Sequence, residues 1–389
     1  MKKAYYIDTF SSQHIHEVYN ASSLRMFAAM YDHIEYRCSK SSLEHVEKLL
    51  GVLPENVTVQ TISLINSWGR FGKIKRFLKQ IQAVFYNTFF ILKASKDFDV
   101  IINYNTAPAL PFVNWACKIS KRRVLQVCHG EMADIAIDRP TSVLFKWGLS
   151  LLTNPNAKIA TNLFFAVLGN SIKNNLKGLI SLQAEQKFLS FEHSAIFDSI
   201  QFSLKKTSSK LIVGVIGAMR PSKGLENLID LSKIFKDNNQ IEFRIIGKVP
   251  LDSSIYEKSG ITFPSKATDK YLSREEMYNH IRQLDYALFL FPSEVYKFTA
   301  SGSVFDAINC ERPILGLEND YFSEMFKVYG DFGYLESNLE NLKKRLLWLV
   351  DNKENISWNR KKVKEYFQPE NVAKRFEKVW MIENQNDKN

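Results

Sequence analysis

"KLIVGVIGAMRPSKGLENLIDLSKIFKD", residues 210–237, holds the clearest architectural signal in the chain. A short apolar run stops at Gly217, and a pattern with helical spacing starts near Gly224. A strand, a tight loop and an amphipathic helix make the first half of a parallel βα unit. The loop carries Arg220 and Lys223. Gly217 lets the backbone approach a ligand, and two cations at a helix entrance suit a diphosphate. The spacing is neither that of a dinucleotide fingerprint nor that of a Walker A loop.

On both sides of this segment the same alternation continues. "IEFRIIG" (241–247), "ITFPS" (261–265), "YALFLFPS" (286–293) and "PILGLEN" (313–319) read as strands. "SREEMYNHIRQL" (273–284) reads as a helix with a serine N-cap and acids in its first turn. Toward the N-terminus, "KAYYID" (3–8), "IEYRC" (34–38), "VTVQTI" (57–62), "DVIINYN" (99–105), "RVLQVC" (123–128) and "NLFFAVLGN" (162–170) are strands. Helical periodicity fills the gaps, as in "ASSLRMFAAMY" (21–31) and "KIKRFLKQIQAVFYNTFFILKAS" (73–95). Short apolar strands alternating with helices belong to parallel sheets covered on both faces. The expected class is α/β, with two Rossmann-like doubly wound domains facing across a cleft. Residues 1–200 form the first domain and 201–365 the second, with the mixed stretch "SFEHSAIFDSIQFSLKKTSSK" (190–210) at the boundary. A charged helical tail, 366–389, is expected to pack back toward the first domain.

The chain has 389 residues, 45% of them hydrophobic and 24% charged, which fits two globular domains. The net charge of +11 attracts phosphates. No zinc-finger spacing or basic repeat points to nucleic acid, so none is expected as a partner. Cys38, Cys117, Cys128 and Cys310 are scattered, which suits a reducing compartment. The start "MKKAYYIDTFSS" lacks the apolar run of a secretory signal, so a cytoplasmic location is expected.

In open parallel sheets, ligands bind beyond the carboxyl ends of the strands. "VYKFTASGSVFDAINCERP" (295–313) lies just past one such end. Ser301, Gly302 and Ser303 open a helix, where backbone N–H groups and the positive end of the dipole favour a phosphate oxygen. Asp306 follows on the same helix face. An acid there does not help a phosphate, but it accepts hydrogen bonds from vicinal hydroxyls, as on a ribose. The alternative for Asp306 is an ordinary first-turn acid.

This second half resembles the donor-binding domain of the GT-B glycosyltransferases. In that superfamily Arg and Lys after a strand bind the diphosphate, and Arg220 and Lys223 match those positions. "FPSEVYKFTASGSVFDAINCERPIL" (291–315) matches the later loop and helix, with Asp306 in place of the ribose-binding acid. The resemblance covers roughly residues 210–320 in motifs and the rest by architecture. The E-x7-E pattern of the large retaining family is incomplete, since its first position falls on Phe298. The resemblance therefore leaves both retention and inversion open. The Tyr-x-x-x-x-Ser-Gly spacing, Tyr296 to Gly302, is similar to smaller groups in surface-polysaccharide synthesis.

In the first half, His129, Glu131 and Asp134 follow the strand "RVLQVC" and are the candidate catalytic groups. The resemblance agrees, because a histidine at this strand end lies by the donor sugar in many GT-B enzymes. His14 and His16 follow the first strand. Two histidines at i,i+2 with no third ligand make a poor metal site, so an acceptor contact is expected there. Asn103 and Asn105 end another strand, and Glu192 with His193 sits at the hinge; all four are candidate acceptor contacts. The triplet "DFD", Asp97 to Asp99, precedes its strand and reads as a turn, so no metal is required. Residues 68–93 mix cations with aromatics and suit contact with an anionic membrane.

The resemblance, taken with these residues, implies a transferase moving a sugar from a nucleotide-diphosphate donor to a saccharide or lipid-linked acceptor, expected at the inner face of the cytoplasmic membrane. The donor contacts would be Gly217, Arg220, Lys223, Tyr296, Ser301, Gly302, Ser303 and Asp306. No cofactor is expected beyond the nucleotide sugar as substrate. A sugar-nucleotide epimerase of the same architecture, or a non-catalytic membrane-associated binding subunit, fits the same residues.

Overall fold

A computed structural model describes residues 1–11, 16–65, 72–136, 143–197, 209–219, 223–248, 258–263, 272–291, 293–352 and 356–386. The chain divides into two compact units. The first comprises Met1–Ile196, Phe298–Ala300 and Phe367–Asn389; the second comprises Phe197–Lys297 and Ser301–Tyr366.

In the first unit, the strands are β1 (Lys3–Asp8), β2 (His33–Ser39), β3 (Val57–Ile62), β4 (Phe98–Tyr104), β5 (Val124–Val127), β6 (Leu163–Val167) and β7 (Phe188–Ser190). They form one sheet in the order β3-β2-β1-β4-β5-β6-β7, with every pair parallel. The helices are α1 (Glu17–Ala28), α2 (Lys40–Leu50), α3 (Gly72–Lys93), α4 (Leu110–Ser120), α5 (Ala133–Ala136), α6 (Val143–Thr153), α7 (Asn170–Leu176) and α8 (Leu182–Lys187). β5 and β6 are buried along their whole length, as central parallel strands must be.

In the second unit, β8 (Leu211–Ile216), β9 (Ile241–Ile246), β10 (Ile261–Thr262), β11 (Tyr286–Phe289), β12 (Ile314–Leu317) and β13 (Gly333–Glu336) form a second parallel sheet in the order β10-β9-β8-β11-β12-β13. Its helices are α9 (Leu225–Ile234), α10 (Arg274–Ile281), α11 (Ser293–Tyr296), α12 (Ser303–Asn309), α13 (Asp320–Tyr329), α14 (Leu339–Asn352) and α15 (Arg360–Phe367). The Ser273 cap expected from sequence is a full capping box with Glu276.

A last helix, α16 (Pro369–Asn386), completes the core of the first unit. Its Val372, Phe376 and Trp380 are buried among Phe27, Phe164 and Phe191. The Trp380 indole N–H donates to the Tyr31 hydroxyl at 2.8 Å, and the Arg123 guanidinium lies 3.7 Å over the indole ring.

Two strands escape the sequence reading. β7 and β13 are short edge strands, too brief to show alternation. One detail is corrected: Asp99 is not in a turn but in β4, paired with Ala4. It accepts from the Tyr31 hydroxyl at 2.8 Å at the amino end of the sheet, and burial raises its pKa.

The order of each sheet reverses once, between β1 and β4 in the first and between β8 and β11 in the second. At such a point neighbouring loops diverge to opposite faces and leave a crevice at the carboxyl ends of the strands.

Candidate functional site

The first crevice is lined by histidines and tyrosines. α1 presents Tyr19, Asn20 and Ser23 at helical spacing toward the end of β1, and His16 stands at its N-cap. β4 ends in Tyr104, and the turn after β5 brings in His129 and Glu131. Ring centroids of His129 lie 5.2 Å from His16, 5.2 Å from Tyr104 and 4.8 Å from Tyr19. His193, after β7, meets Tyr19 at 5.1 Å. The structure thus groups His16, His129, Glu131 and His193 at one strand-end cluster.

Beneath this cluster runs a buried chain of amides. Asp8 accepts from the backbone N–H groups of Phe10 and Ser11, at 3.1 and 2.8 Å, and from the Asn20 amide at 2.8 Å. Asn103 donates to Asn20 at 2.8 Å. The Asn103 main-chain carbonyl receives Nε2 of His129 at 2.8 Å. A carbonyl only accepts, so Nε2 carries the proton and Nδ1 is bare in the neutral ring. Among the described residues Nδ1 has no hydrogen-bond partner. Burial lowers the His129 pKa to about 3, with a smaller push from His16, and burial lowers that of His193 to about 4. Both rings are therefore neutral near pH 7.

Glu131 behaves in the opposite way. Burial raises its carboxyl to about 7, although the His129 backbone N–H donates to Oε2 at 2.9 Å. Its Oε1 is buried and has no partner among the described residues. A carboxyl near half ionisation with an unused oxygen is suited to taking a proton. Asp134, one turn on, adds a smaller repulsion that also raises Glu131.

The other candidates on this unit divide. Asn103 and Asn105 are buried, and their amides are committed. Asn105 donates to Gln126 at 2.9 Å and accepts from Asn87 at 3.1 Å. Their place is under the cluster, holding it, rather than on its surface. Glu192 pairs with Arg375 of α16 at 3.3 Å. His14 lies outside the described residues.

At the second crevice, Gly217 ends β8 with φ 88°, and the Lys223 ammonium lies 3.8 Å from where a side chain on Gly217 would begin. Gly224 then opens α9 with φ 76°, packed so closely on β11 that a Cβ would sit 1.9 Å from the Leu290 carbonyl oxygen. Arg220 lies outside the described residues. Tyr296 is buried and stacks on Phe291 with centroids 3.8 Å apart. Ser301 and Ser303 hydroxyls are 3.2 Å apart at the start of α12, whose first turn receives no side-chain cap from Gly302.

Asp306 has partners that sequence did not foresee. Arg274 of α10 donates to its Oδ1 at 2.9 Å, and the Tyr278 hydroxyl lies 3.4 Å from the same oxygen. One carboxylate oxygen thus serves an internal clamp. Arg274 also donates to the Tyr278 hydroxyl at 2.7 Å. Arg274 and Tyr278 stand one turn apart on α10, but Asp306 lies on α12, so no local pattern in the sequence marks the clamp. For the first crevice, a signal was present: the polar stripe Tyr19, Asn20, Ser23 on a buried helix face that begins after His16. Among the described residues, no group of three or more His, Cys, Asp or Glu is placed to hold a metal ion.

No family model matches the chain. No curated protein matches it either. Solved structures do. HepE of Anabaena, crystallised with UDP and glucose, is 13% identical with a TM-score of 0.60, covering 100% of this chain and 99% of its own. A point mutant of TarM from S. aureus, in complex with fondaparinux, alpha-GlcNAc-glycerol and UDP, is 12% identical with a TM-score of 0.59, covering 99% of each chain. The lipopolysaccharide outer core galactosyltransferase WaaB, in its apo form, is 12% identical with a TM-score of 0.59, covering 97% of this chain and 98% of its own. With two parallel sheets, each reversing once, and these likenesses over nearly the whole length, the chain has the GT-B fold of the glycosyltransferases.

Proposed function

We propose that the protein is a glycosyltransferase that moves a sugar from a nucleoside-diphosphate donor to a saccharide or lipid-linked saccharide in cell-surface polysaccharide synthesis. The observation that carries this reading is the strand-end cluster of the first unit. It holds neutral His129 with a bare Nδ1 beside Glu131, whose carboxyl sits near 7 with an unused oxygen. Groups shifted in this way gather at functional sites. The neighbours support it: HepE is crystallised with UDP and glucose, TarM with UDP, and WaaB is a lipopolysaccharide galactosyltransferase.

In this reading the second unit binds the donor. Lys223 and Arg220 neutralise the diphosphate, and Ser301, Gly302 and Ser303 offer donors to its oxygens. Asp306, with Oδ1 fixed by Arg274, turns its carboxylate to the ribose hydroxyls. Gly217 and Tyr296 shape the same strand ends. The first unit receives the acceptor near His16 and His193, over the buried Asn103 and Asn105. The bond from the anomeric carbon to the diphosphate breaks, and a bond from that carbon to the acceptor oxygen forms. The acceptor proton passes to ionised Glu131, with His129 Nδ1 as hydrogen-bond acceptor and Asp134 tuning the carboxyl. The nucleoside diphosphate leaves with the bonding electron pair. The protein acts in the cytoplasm, at the inner face of the membrane, with α3 as the contact. No metal is invoked.

The test is release of nucleoside diphosphate from a panel of nucleotide sugars, UDP-sugars first, with and without saccharide acceptors. Acceptor-dependent release supports the proposal. Isomerised donor without release makes the protein an epimerase, and binding without turnover makes it a binding subunit.

A further inference from the structure

Helix α3 is apolar on two opposite sides. Ala83, Phe90 and Ile91 face the core, while Phe77, Ile81, Phe85 and Phe89 face solvent, Phe85 at 62% exposure. A helix apolar all round is normally buried on both sides. α4 packs beside α3, and α6 beside α4. Both continue the outer surface. α4 exposes Phe112, Trp115 and Ile119, with Trp115 at 52%. α6 exposes Val143, Leu144 and Trp147, with Trp147 at 45%. Phe112 and Trp147 join the two helices, with ring centroids 5.8 Å apart. More than half of the large exposed apolar side chains among the described residues lie on these three helices.

The charges on these three helices all have one sign. None of the three helices contains Asp or Glu. Lys75, Arg76, Lys93, Lys118 and Lys146 stand among the exposed rings, and Lys93 lies 5.2 Å over Phe89. Close packing holds α6 in this surface: a Cβ on Gly148 would sit 2.0 Å from the Ala107 carbonyl oxygen. Among the described residues no helix is long and apolar enough to cross a membrane.

We propose that α3, α4 and α6 form one continuous face that docks on an anionic lipid bilayer, with Trp115 and Trp147 entering the headgroup region. Exposed aromatic rows suit the interface, and helices that carry cations and no acid of their own suit anionic headgroups. This enlarges the α3 contact of the proposed function and rests on that membrane placement, but not on the glycosyl-transfer chemistry.

The experiment is co-sedimentation of the full chain with phosphatidylcholine vesicles, with and without phosphatidylglycerol. Binding should appear with the anionic vesicles and weaken as salt rises. The Trp115→Ser/Trp147→Ser double variant should weaken it at least tenfold at unchanged Tm. Lys118→Glu/Lys146→Glu should remove the preference for anionic lipid. Turnover of donor with a short water-soluble acceptor should be equal in all variants, so loss of docking and failure of the catalytic reading are told apart. No binding to anionic vesicles, or equal binding by the Trp variant, overturns the proposal. So does a dimer in lipid-free solution that the Trp variant converts to monomer, because a second copy would then be the occupant.

Discussion

Among single residues, three buried side chains of the strand-end cluster carry large shifts: Glu131, His129 and His193. Glu131 has its carboxyl pushed up to about 7 by burial, so its ionised fraction grows through neutrality. Turnover should rise from pH 6 to 8, and Glu131→Gln should lose that rise along with about 10²–10⁴ of the rate. A variant with the parent's pH–rate profile would remove Glu131 from the mechanism. Stability follows the histidines in the other direction. His129 and His193 are depressed to about 3 and 4 in the fold, against about 6.5 unfolded. Their contribution is complete above pH 6.5 and is lost as pH falls through 4 and 3, because the unfolded chain binds protons first. Glu131 opposes this: its contribution is full below about 4.3 and lost as pH rises through 7. Two rings outweigh one carboxyl, so Tm should fall between pH 7 and pH 4. Calorimetry of His193→Gln should show a shallower slope; an equal slope would clear His193 of any part in it. His129 and Glu131 were legible in the sequence as strand-end groups. Asp8 and Asn20 were not, because their role depends on an amide chain assembled from β1, α1 and β4.

Secondary-structure elements carry the donor half. The loop between β8 and α9 and the start of α12 were both readable, since small residues and cations interrupt clear strand and helix periods. The clamp Arg274–Asp306 was not readable, because α10 meets α12 only once the chain has folded. It turns a suspected ribose acceptor into one with a fixed oxygen. Nucleotide binding separates the two roles: Asp306→Ala should weaken it about tenfold, which is about 1.4 kcal/mol. Arg274→Ala should weaken it less and lower Tm more. If Asp306→Ala binds like the parent, the acid serves the clamp alone. Gly224 is a second test of this kind. Its left-handed backbone and its contact with Leu290 exclude a side chain, so Gly224→Ala should cost more than ~1 kcal/mol in a denaturant titration. An unchanged midpoint would mean α9 shifts freely on β11.

Across the molecule, the chain's last helix returns to the core that its first residues begin. Trp380 is among the largest fully buried side chains, held by Tyr31 and Arg123. Trp380→Ala should lower stability by about 3–5 kcal/mol, measured by urea unfolding of the full chain. A loss below ~1 kcal/mol would show that α16 adds little to the first unit. Features that depend on local pattern were set by the order of residues alone: parallel sheets in two halves, the glycine-lined strand ends, the cations and acids just past them, and the basic aromatic helix α3. Features that depend on distant segments meeting were set only by folding. The fold buried Asn103 and Asn105, paired Asp306 with Arg274, oriented His129 through the Asn103 carbonyl, and laid α4 beside α3 and α6 beside α4. The difference is one of range: strand and helix periods act over a few residues, while burial and hydrogen-bond partners are set by chain segments far apart in sequence.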